Sequence, residues 1–429
     1  MNQFTASLWG DEAWAATLAV KPLIDIIQIV SKDTAPPLYY IFLHLWMQIF
    51  GTSETAIRSL SFLFFLGTVL TVFLIGRHLW DKKTGLLAAL LTFVNPFLFQ
   101  YAFEGRMYSL LAFTSTLSIY FFLRKKRLGF ILATTAALYT HHFAIFIVAF
   151  EGLWMLTETL AKSPGKIIKN LSDFFFIGLL YLPWLYPLYY QTSLVSGGFW
   201  LGKPQLSDIK ELLRKFLVGS GEGLVQQALL WATLVVFVLR RWQQDLSKTI
   251  FLVGWLFTPI IITFLISQKF QPIFYDRYML IAIPASCLLL ASLSRKLSLP
   301  FFAFILISLA FLNWQYFTHP TKRPFRQLSE YVKTEAPNTQ RINYNGSAHH
   351  LFESKYYGIP APIYSPTPLP FYTGTALMEK SDVISVLPKT KEILTISSEP
   401  PEKVVLPGWK QEKNKRFGSL TLVWFTKEK

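Results

Sequence analysis

Two adjacent carboxylates, Asp11 and Glu12, stand between Trp9 and Trp14 in the stretch SLWGDEAW. A carboxylate there can act as general base, taking the proton of an acceptor hydroxyl as its oxygen attacks an electrophilic carbon; a solvated acidic loop is the plainer reading. Opposite charge follows at Arg58, at Arg106 after Glu104, and at Arg277 after Asp276. A planar guanidinium donates two parallel hydrogen bonds and keeps its charge at any physiological pH, so Arg106 and Arg277 suit a phosphate. Snorkelling to lipid headgroups and pairing with Glu104 and Asp276 are the structural alternatives. Tyr39, Tyr108 and Tyr278 adjoin these positions and offer hydroxyl donors. His141 and His142 supply two imidazoles where zinc asks for three or four ligands, which favours local hydrogen bonding over metal ligation.

Groups so far apart in sequence need a frame to gather them. The chain is 52% hydrophobic and only 15% charged, against about a quarter in soluble domains, so one soluble core cannot hide its apolar residues. The formal charge of +16 falls in short clusters between apolar runs, where anionic headgroups would meet them; it reads as membrane topology, not as nucleic-acid binding. The single cysteine, Cys287, excludes an intrachain disulfide and a cysteine metal cluster. Glu151, in mid-run, is expected to be protonated or hydrogen-bonded within the bundle and is assigned no chemical role.

Ten apolar runs are candidates to cross the membrane as helices: 59–76, 85–100, 107–123, 128–141, 143–160, 171–189, 224–239, 249–266, 278–293 and 299–316. Alternate connections carry the bases: Arg77, Lys82 and Lys83; Arg124 to Arg127; Lys162, Lys166 and Lys169; Arg240, Arg241 and Lys248; Arg295 and Lys296. The positive-inside rule puts these in the cytoplasm. The N-terminal segment, the loops near 101–106, 142, 190–223 and 267–277, and the tail from about 317 then face outside.

Residues 36–50, apolar and aromatic but short, suit a helix lying in the outer interface, and an amphipathic stretch from Ile209 to Leu217 suits a cap on that face. From Phe317 the chain turns polar and proline-rich, with a helix-like stretch near 325–334 and strand-like runs near 341–344, 392–397 and 419–425. The expected fold is a polytopic α-helical membrane protein of about ten spans with external interfacial helices and a small C-terminal α/β domain. Its divisions are residues 1–58, 59–316 and 317–429. Asn345-Gly346-Ser347 matches a glycosylation acceptor, too short a motif to carry weight.

In order along the chain, these segments resemble the GT-C superfamily, specifically bacterial relatives of protein O-mannosyltransferases and of the aminoarabinose transferase that modifies lipid A. SLWGDEAW resembles that family's first external loop, DTAPPLYYIFLHLW its Pro-Pro interfacial helix, and GTSETAIRSLS the start of the following span. EGRMYSLL resembles the second external loop, THHFA a later hairpin, and FYDRYMLIAIPA the Arg-Tyr and Pro pattern before a late span. The resemblance implies an inverting transferase whose donor is a sugar on a polyprenyl phosphate, with its site at the external face. It makes Asp11 the base and Glu12 its support. Arg106 and Arg277, joined by Arg58, Tyr39 and Tyr108, hold the departing phosphate, and Pro36 to Tyr40 line the donor lipid's path. Glu104, His141, His142 and Tyr278 remain substrate-binding candidates.

The implied partners are a polyprenyl-phosphate-linked sugar, membrane lipids, and a glycolipid, polysaccharide or protein acceptor, with no nucleic acid. No cofactor is named; metal dependence varies across the superfamily, which leaves a divalent metal open. Ala35 departs from the basic residue or histidine that relatives carry before the Pro-Pro pair, with Lys32 as a substitute. Relatives also have a complete span before the Asp-Glu loop, and the chain is expected to lack it. A transporter of a lipid-linked sugar and a catalytically silent membrane scaffold are the rival readings.

Overall fold

The computed structural model describes residues 1–162, 164–238, 246–294, 299–344 and 348–428. Along the chain come α1 (Gly10–Ala19), α2 (Leu23–Ser31), α3 (Leu38–Phe50), α4 (Glu54–Leu79), α5 (Lys82–Phe93), α6 (Pro96–Ala102), α7 (Tyr108–Leu123) and α8 (Arg127–Thr140). Next are α9 (Ile145–Lys162), α10 (Ile167–Tyr181), α11 (Leu185–Ser196), α12 (Leu206–Val218), α13 (Leu224–Val238), α14 (Leu246–Lys269), α15 (Ile283–Ser294) and α16 (Leu299–Thr318). The C-terminal part holds α17 (Phe325–Glu335), β1 (Gln340–Asn343), α18 (Ala348–Tyr356), β2 (Ile363–Tyr364), β3 (Val383–Ile384), β4 (Glu392–Ser397), β5 (Trp409–Phe417) and β6 (Leu420–Lys427). Of the sequence expectations, Arg240, Arg241, Arg295, Lys296 and the tripeptide 345–347 lie outside the described residues.

The chain divides into two units: residues 1–34, 40–57 and 319–429 form one, and residues 35–39 and 58–318 the other. The second unit is the helical bundle of a multi-pass membrane protein. Among the described residues five helices are long and apolar enough to cross a membrane, or six if the bent pair α5 and α6 counts as one span. The other expected runs lie on helices too, but short ones; α7, with 16 residues, reaches about 24 Å at 1.5 Å per residue.

The 64° bend between α5 and α6 follows from Asn95-Pro96. A residue before proline is pushed out of the helical region, and proline at the first helical position restarts the helix. Asn95 caps the restart, its Oδ1 accepting from the Leu98 amide at 2.9 Å, and its Nδ2 donates 2.7 Å to the Phe216 carbonyl of α12. At one end of the bundle, basic ends of helices meet. Arg124 lies 3.3 Å from His78, Arg127 pairs with Asp173 at 2.5 Å, and Lys248 sits 5.9 Å from the Trp80 ring. Glu151, fully buried, accepts 2.6 Å from Ser118 Oγ, which also meets Thr134 Oγ1 at 2.7 Å.

The first unit is built on a sheet of order β3-β2-β1-β4-β6-β5, parallel from β3 to β4 and antiparallel from β4 to β5. Strand alternation splits its core between two faces. Leu394, Ile396, Leu420, Leu422 and Trp424 pack under α17 through Phe325, Leu328 and Val332. Ile342, Ile393, Val423 and Phe425 pack on the other face with Val404 and Leu406. Each such side chain contributes about 1.5–3 kcal/mol on burial.

In this unit Asp11 and Glu12 are not in a loop, as the sequence led us to expect, but in the first turn of α1. Glu12, at the third helical position, accepts from the Trp9 amide at 3.3 Å, which is half of a capping box. Tryptophan at the N-cap position hides this start from motif reading.

Candidate functional site

Within the bundle the loop between α6 and α7 carries Glu104, Gly105 and Arg106. It is a tight turn, with the Arg106 amide donating 2.7 Å to the Glu104 carbonyl. Ser109 Oγ reaches back 2.8 Å to the Tyr101 carbonyl, and Ser61 Oγ, 3.2 Å from the Tyr39 hydroxyl, lies 3.4 Å from the Arg106 carbonyl. The Arg106 carbonyl is thus held by Ser61 of α4, and the end of α6 before the turn by Ser109 of α7.

Over this loop Tyr108, the first residue of α7, is buried, and two guanidiniums face its ring: Arg106 with Cζ at 5.9 Å and Arg277 at 5.3 Å from the centroid. Arg277 also lies 4.8 Å from Tyr275 and 5.9 Å from Tyr278. His141 packs its ring 4.9 Å from Tyr278 and accepts from the Phe143 amide at 3.2 Å through Nδ1. An aromatic face orients a guanidinium for about 0.5–2 kcal/mol. The neighbouring Asp276 is engaged elsewhere: Oδ2 takes Lys215 Nζ at 2.7 Å and Oδ1 takes the Arg277 amide at 2.7 Å.

The bundle therefore brings together Arg106, Tyr108, His141, Arg277 and Tyr278, with Glu104 buried beside Arg106. This cluster is at the start of α7, opposite the end where the basic loops meet. Arg58 is fully buried at the start of the unit's part of α4. His142 makes two contacts within the bundle: Nε2 is 2.7 Å from Gln191 Oε1 and Nδ1 is 3.5 Å from the Tyr181 hydroxyl. Gln191 in turn reaches the Ala35 carbonyl at 3.5 Å. Among the described residues no group of three or more His, Cys, Asp or Glu is placed to hold a metal. Tyr275 and Lys215 were missed as members of this cluster; an aromatic residue flanking Asp-Arg was the signal for the first.

In the other unit Glu12 is fully buried and pairs with Lys322 Nζ at 3.0 Å, while Asp11, one residue earlier, stays half-exposed. The segment before them is tied down throughout. The Leu8 amide donates 2.8 Å to the Tyr357 hydroxyl, which donates 2.8 Å to Glu54 Oε1. Arg326 reaches Glu54 Oε1 with Nε at 3.0 Å and the Thr5 carbonyl at 3.0 Å, and its amide meets Ser7 Oγ at 3.2 Å. Burial, with Glu54 adding to it, raises the Tyr357 hydroxyl's pKa. Burial alone would lower that of Arg326, but Glu54 and the two neighbouring tyrosines outweigh it, and the net shift is upward. Lys32, at the C-cap of α2, is exposed.

Residues 34–186 match the family model described as dolichyl-phosphate-mannose-protein mannosyltransferase. The whole chain superposes on ArnT from Cupriavidus metallidurans in the apo state, at TM-score 0.67 and 13% identity, covering 98% of this chain and 94% of ArnT. It also superposes on the same protein bound to undecaprenyl phosphate, at TM-score 0.65 and 13% identity, with the same coverage of both chains. No curated protein matches the sequence. The resemblance read from the motifs is thus supported at two levels: residues 34–186 match a mannosyltransferase family model, and the chain has the fold of ArnT.

Proposed function

We propose that the protein is a membrane glycosyltransferase that moves a monosaccharide, mannose-like or another hexose or pentose, from a polyprenyl-phosphate carrier to an extracytoplasmic acceptor. The observation that carries this reading is the pair of guanidiniums, Arg106 and Arg277, set over one tyrosine ring. In the reaction the acceptor oxygen attacks the anomeric carbon from the side opposite the phosphate. The sugar–phosphate bond breaks, and polyprenyl phosphate leaves with the bonding electrons. Charge develops on that phosphate, and fixed arginines stabilise it best because they need no reorganisation as it forms. ArnT binds undecaprenyl phosphate, which fits a lipid-borne leaving group for this chain too.

Asp11 takes the acceptor's proton, a role assigned on its motif and on a half-exposed carboxylate held in a capped helix turn. Glu12, buried against Lys322, supports the turn rather than reacting. Arg58, Tyr39 and Tyr108 join the two arginines in holding the departing phosphate, and Glu104, His141, His142 and Tyr278 are the candidate substrate contacts. The membrane topology belongs to the proposal: ten spans, the basic loops in the cytoplasm, and the Arg106 end with the C-terminal domain outside.

The test is donor cleavage. Purified protein is incubated with polyprenyl-phosphate monosaccharides and host lipid extract, and free polyprenyl phosphate is followed by mass spectrometry. The expected result is release by the wild type and a loss of about 10²–10⁴-fold in Asp11→Asn. No release with any donor from folded protein would turn the reading toward transport or a scaffold.

A further inference from the structure

The C-terminal sheet has a reversal of strand order that the transferase reading does not use. From β1 the chain moves to β2 and β3 on one side and returns to β4 on the other. β1 and β4 are parallel neighbours with Asn343 beside Ile396, so their carboxyl ends mark the point where the strand order reverses. In open α/β sheets this is where ligands bind.

Three side chains converge there. Ser398 immediately follows β4 and is exposed. The Ser397 hydroxyl accepts the Glu399 amide at 2.9 Å and so fixes the turn that presents Ser398. His350, in α18, places Nε2 3.2 Å from Ser398 Oγ and Nδ1 2.8 Å from Glu353 Oε2, and both His350 and Glu353 are fully buried. An ionised carboxylate only accepts, so the proton sits on Nδ1 and Nε2 is left as the acceptor facing the serine hydroxyl. Glu353 Oε1 and Asn343 Oδ1 are buried without a hydrogen-bond partner among the described residues. Each such atom costs about 1–3 kcal/mol. A histidine–glutamate pair serving only the fold has no need of that expense, whereas unsatisfied groups do gather at working sites.

We propose that Ser398, His350 and Glu353 form a nucleophilic serine site, separate from glycosyl transfer, that cleaves carboxylic esters. Ser398 Oγ attacks the ester carbonyl and its proton passes to His350 Nε2. The C–O bond to the alcohol breaks, and the alcohol leaves with that proton. Water, deprotonated by the same nitrogen, then releases the acid from Ser398. Glu353 is a positioning residue: it fixes the imidazole's tautomer and steadies the cation that forms. Only the serine is open to solvent, so a substrate meets the hydroxyl while the base stays shielded.

The experiment labels the full-length protein in detergent with a fluorophosphonate, in which Ser398 Oγ displaces fluoride from phosphorus. The modified peptide is mapped by mass spectrometry, and p-nitrophenyl ester hydrolysis is followed in parallel. Labelling at Ser398 that disappears in Ser398→Ala, slows about hundredfold in His350→Gln and slows less in Glu353→Gln is the expected result. Unmodified Ser398 in folded wild-type protein overturns the proposal. So does labelling whose rate is unchanged in His350→Gln. Thermal melting of each variant separates lost chemistry from lost folding, and no sugar donor is present, so the result is independent of glycosyl transfer.

Discussion

Each unit holds a conspicuous cluster of charge, and the two clusters are built differently. In the unit built on the C-terminal sheet, basic and acidic residues from distant parts of the chain neutralise one another: Lys322 with the fully buried Glu12, and Arg326 with Glu54. In the bundle, two arginines share an aromatic face, with Tyr108 between them and Tyr275 and Tyr278 behind Arg277. Opposite charges brought together hold a structure. Arginines oriented by rings present a guanidinium in a fixed direction, and that difference separates architecture from binding more clearly than conspicuous residue types do.

The comparison breaks most visibly if the arginines prove structural. Arg277→Leu and Arg106→Leu are expected to lower donor cleavage by about 10²–10³-fold each, the scale of removing one preorganised donor from a transition state, with thermal unfolding little changed. Arg277→Lys should recover only part of the loss, because an ammonium lacks the planar fork. An unfolding midpoint that falls with cleavage intact would place these residues with the architectural pairs.

The opposite pattern is expected in the other unit. Lys322→Met leaves Glu12 buried without its cation, and breaking a buried pair from one side costs about 3–5 kcal/mol. The Glu12→Gln, Lys322→Met double variant should recover most of that stability. Chemical unfolding followed by tryptophan fluorescence reports it, since Trp14 lies in the same helix as Glu12 and donates to the Gly374 carbonyl at 3.3 Å.

Tyr357 sharpens the point through pH. Its folded hydroxyl titrates higher than the ordinary value, mainly through burial and then through Glu54. Its contribution is full below the unfolded pKa of about 10 and is lost as pH rises toward the folded value. Stability should therefore fall as pH climbs above about 10, and Tyr357→Phe should flatten that fall. The substitution itself should cost about 1–3 kcal/mol at neutral pH, because the Leu8 amide loses its acceptor. The unfolding midpoint measured across pH 8.5 to 11.5, values chosen as roughly bracketing the free tyrosine, gives both effects.

How much of this was legible depended on periodicity and on side-chain range. Apolar runs such as 59–76 and 249–266 announced their helices because lipid demands an unbroken apolar segment. β4 at Glu392–Ser397 was placed correctly because a short, largely apolar run bounded by polar and turn residues marks a strand buried on both faces. α18 and β5 were not seen. α18 buries His350, Glu353 and Ser354 beside Leu351 and Phe352, which erases an apolar stripe. β5 is an exposed edge strand of mostly charged residues with no buried face to mark it. Arg106, Arg277 and Tyr108 were named from type and flanking residues. The links from Lys322 to Glu12 and from Tyr357 to Leu8 span more than three hundred residues, and nothing local records them.

Lys215 marks the boundary between the two uses of charge, and its expected effect is the smallest. It pairs with Asp276 at 2.7 Å, with side chains 22% and 26% exposed, on the amphipathic helix α12. A pair so open to solvent is worth about 0–1 kcal/mol, so Lys215→Met should leave the unfolding midpoint almost unchanged. Asp276, however, also accepts the Arg277 amide. Releasing its outer oxygen loosens the turn that presents the guanidinium and leaves a carboxylate free to compete for it. Donor cleavage measured at several donor concentrations should show KM raised about threefold with kcat held, the size that follows from about 0.6 kcal/mol of binding. A fall in kcat with KM fixed would instead make Lys215 a direct contact of the departing phosphate and move it from the architectural side of the comparison to the binding side.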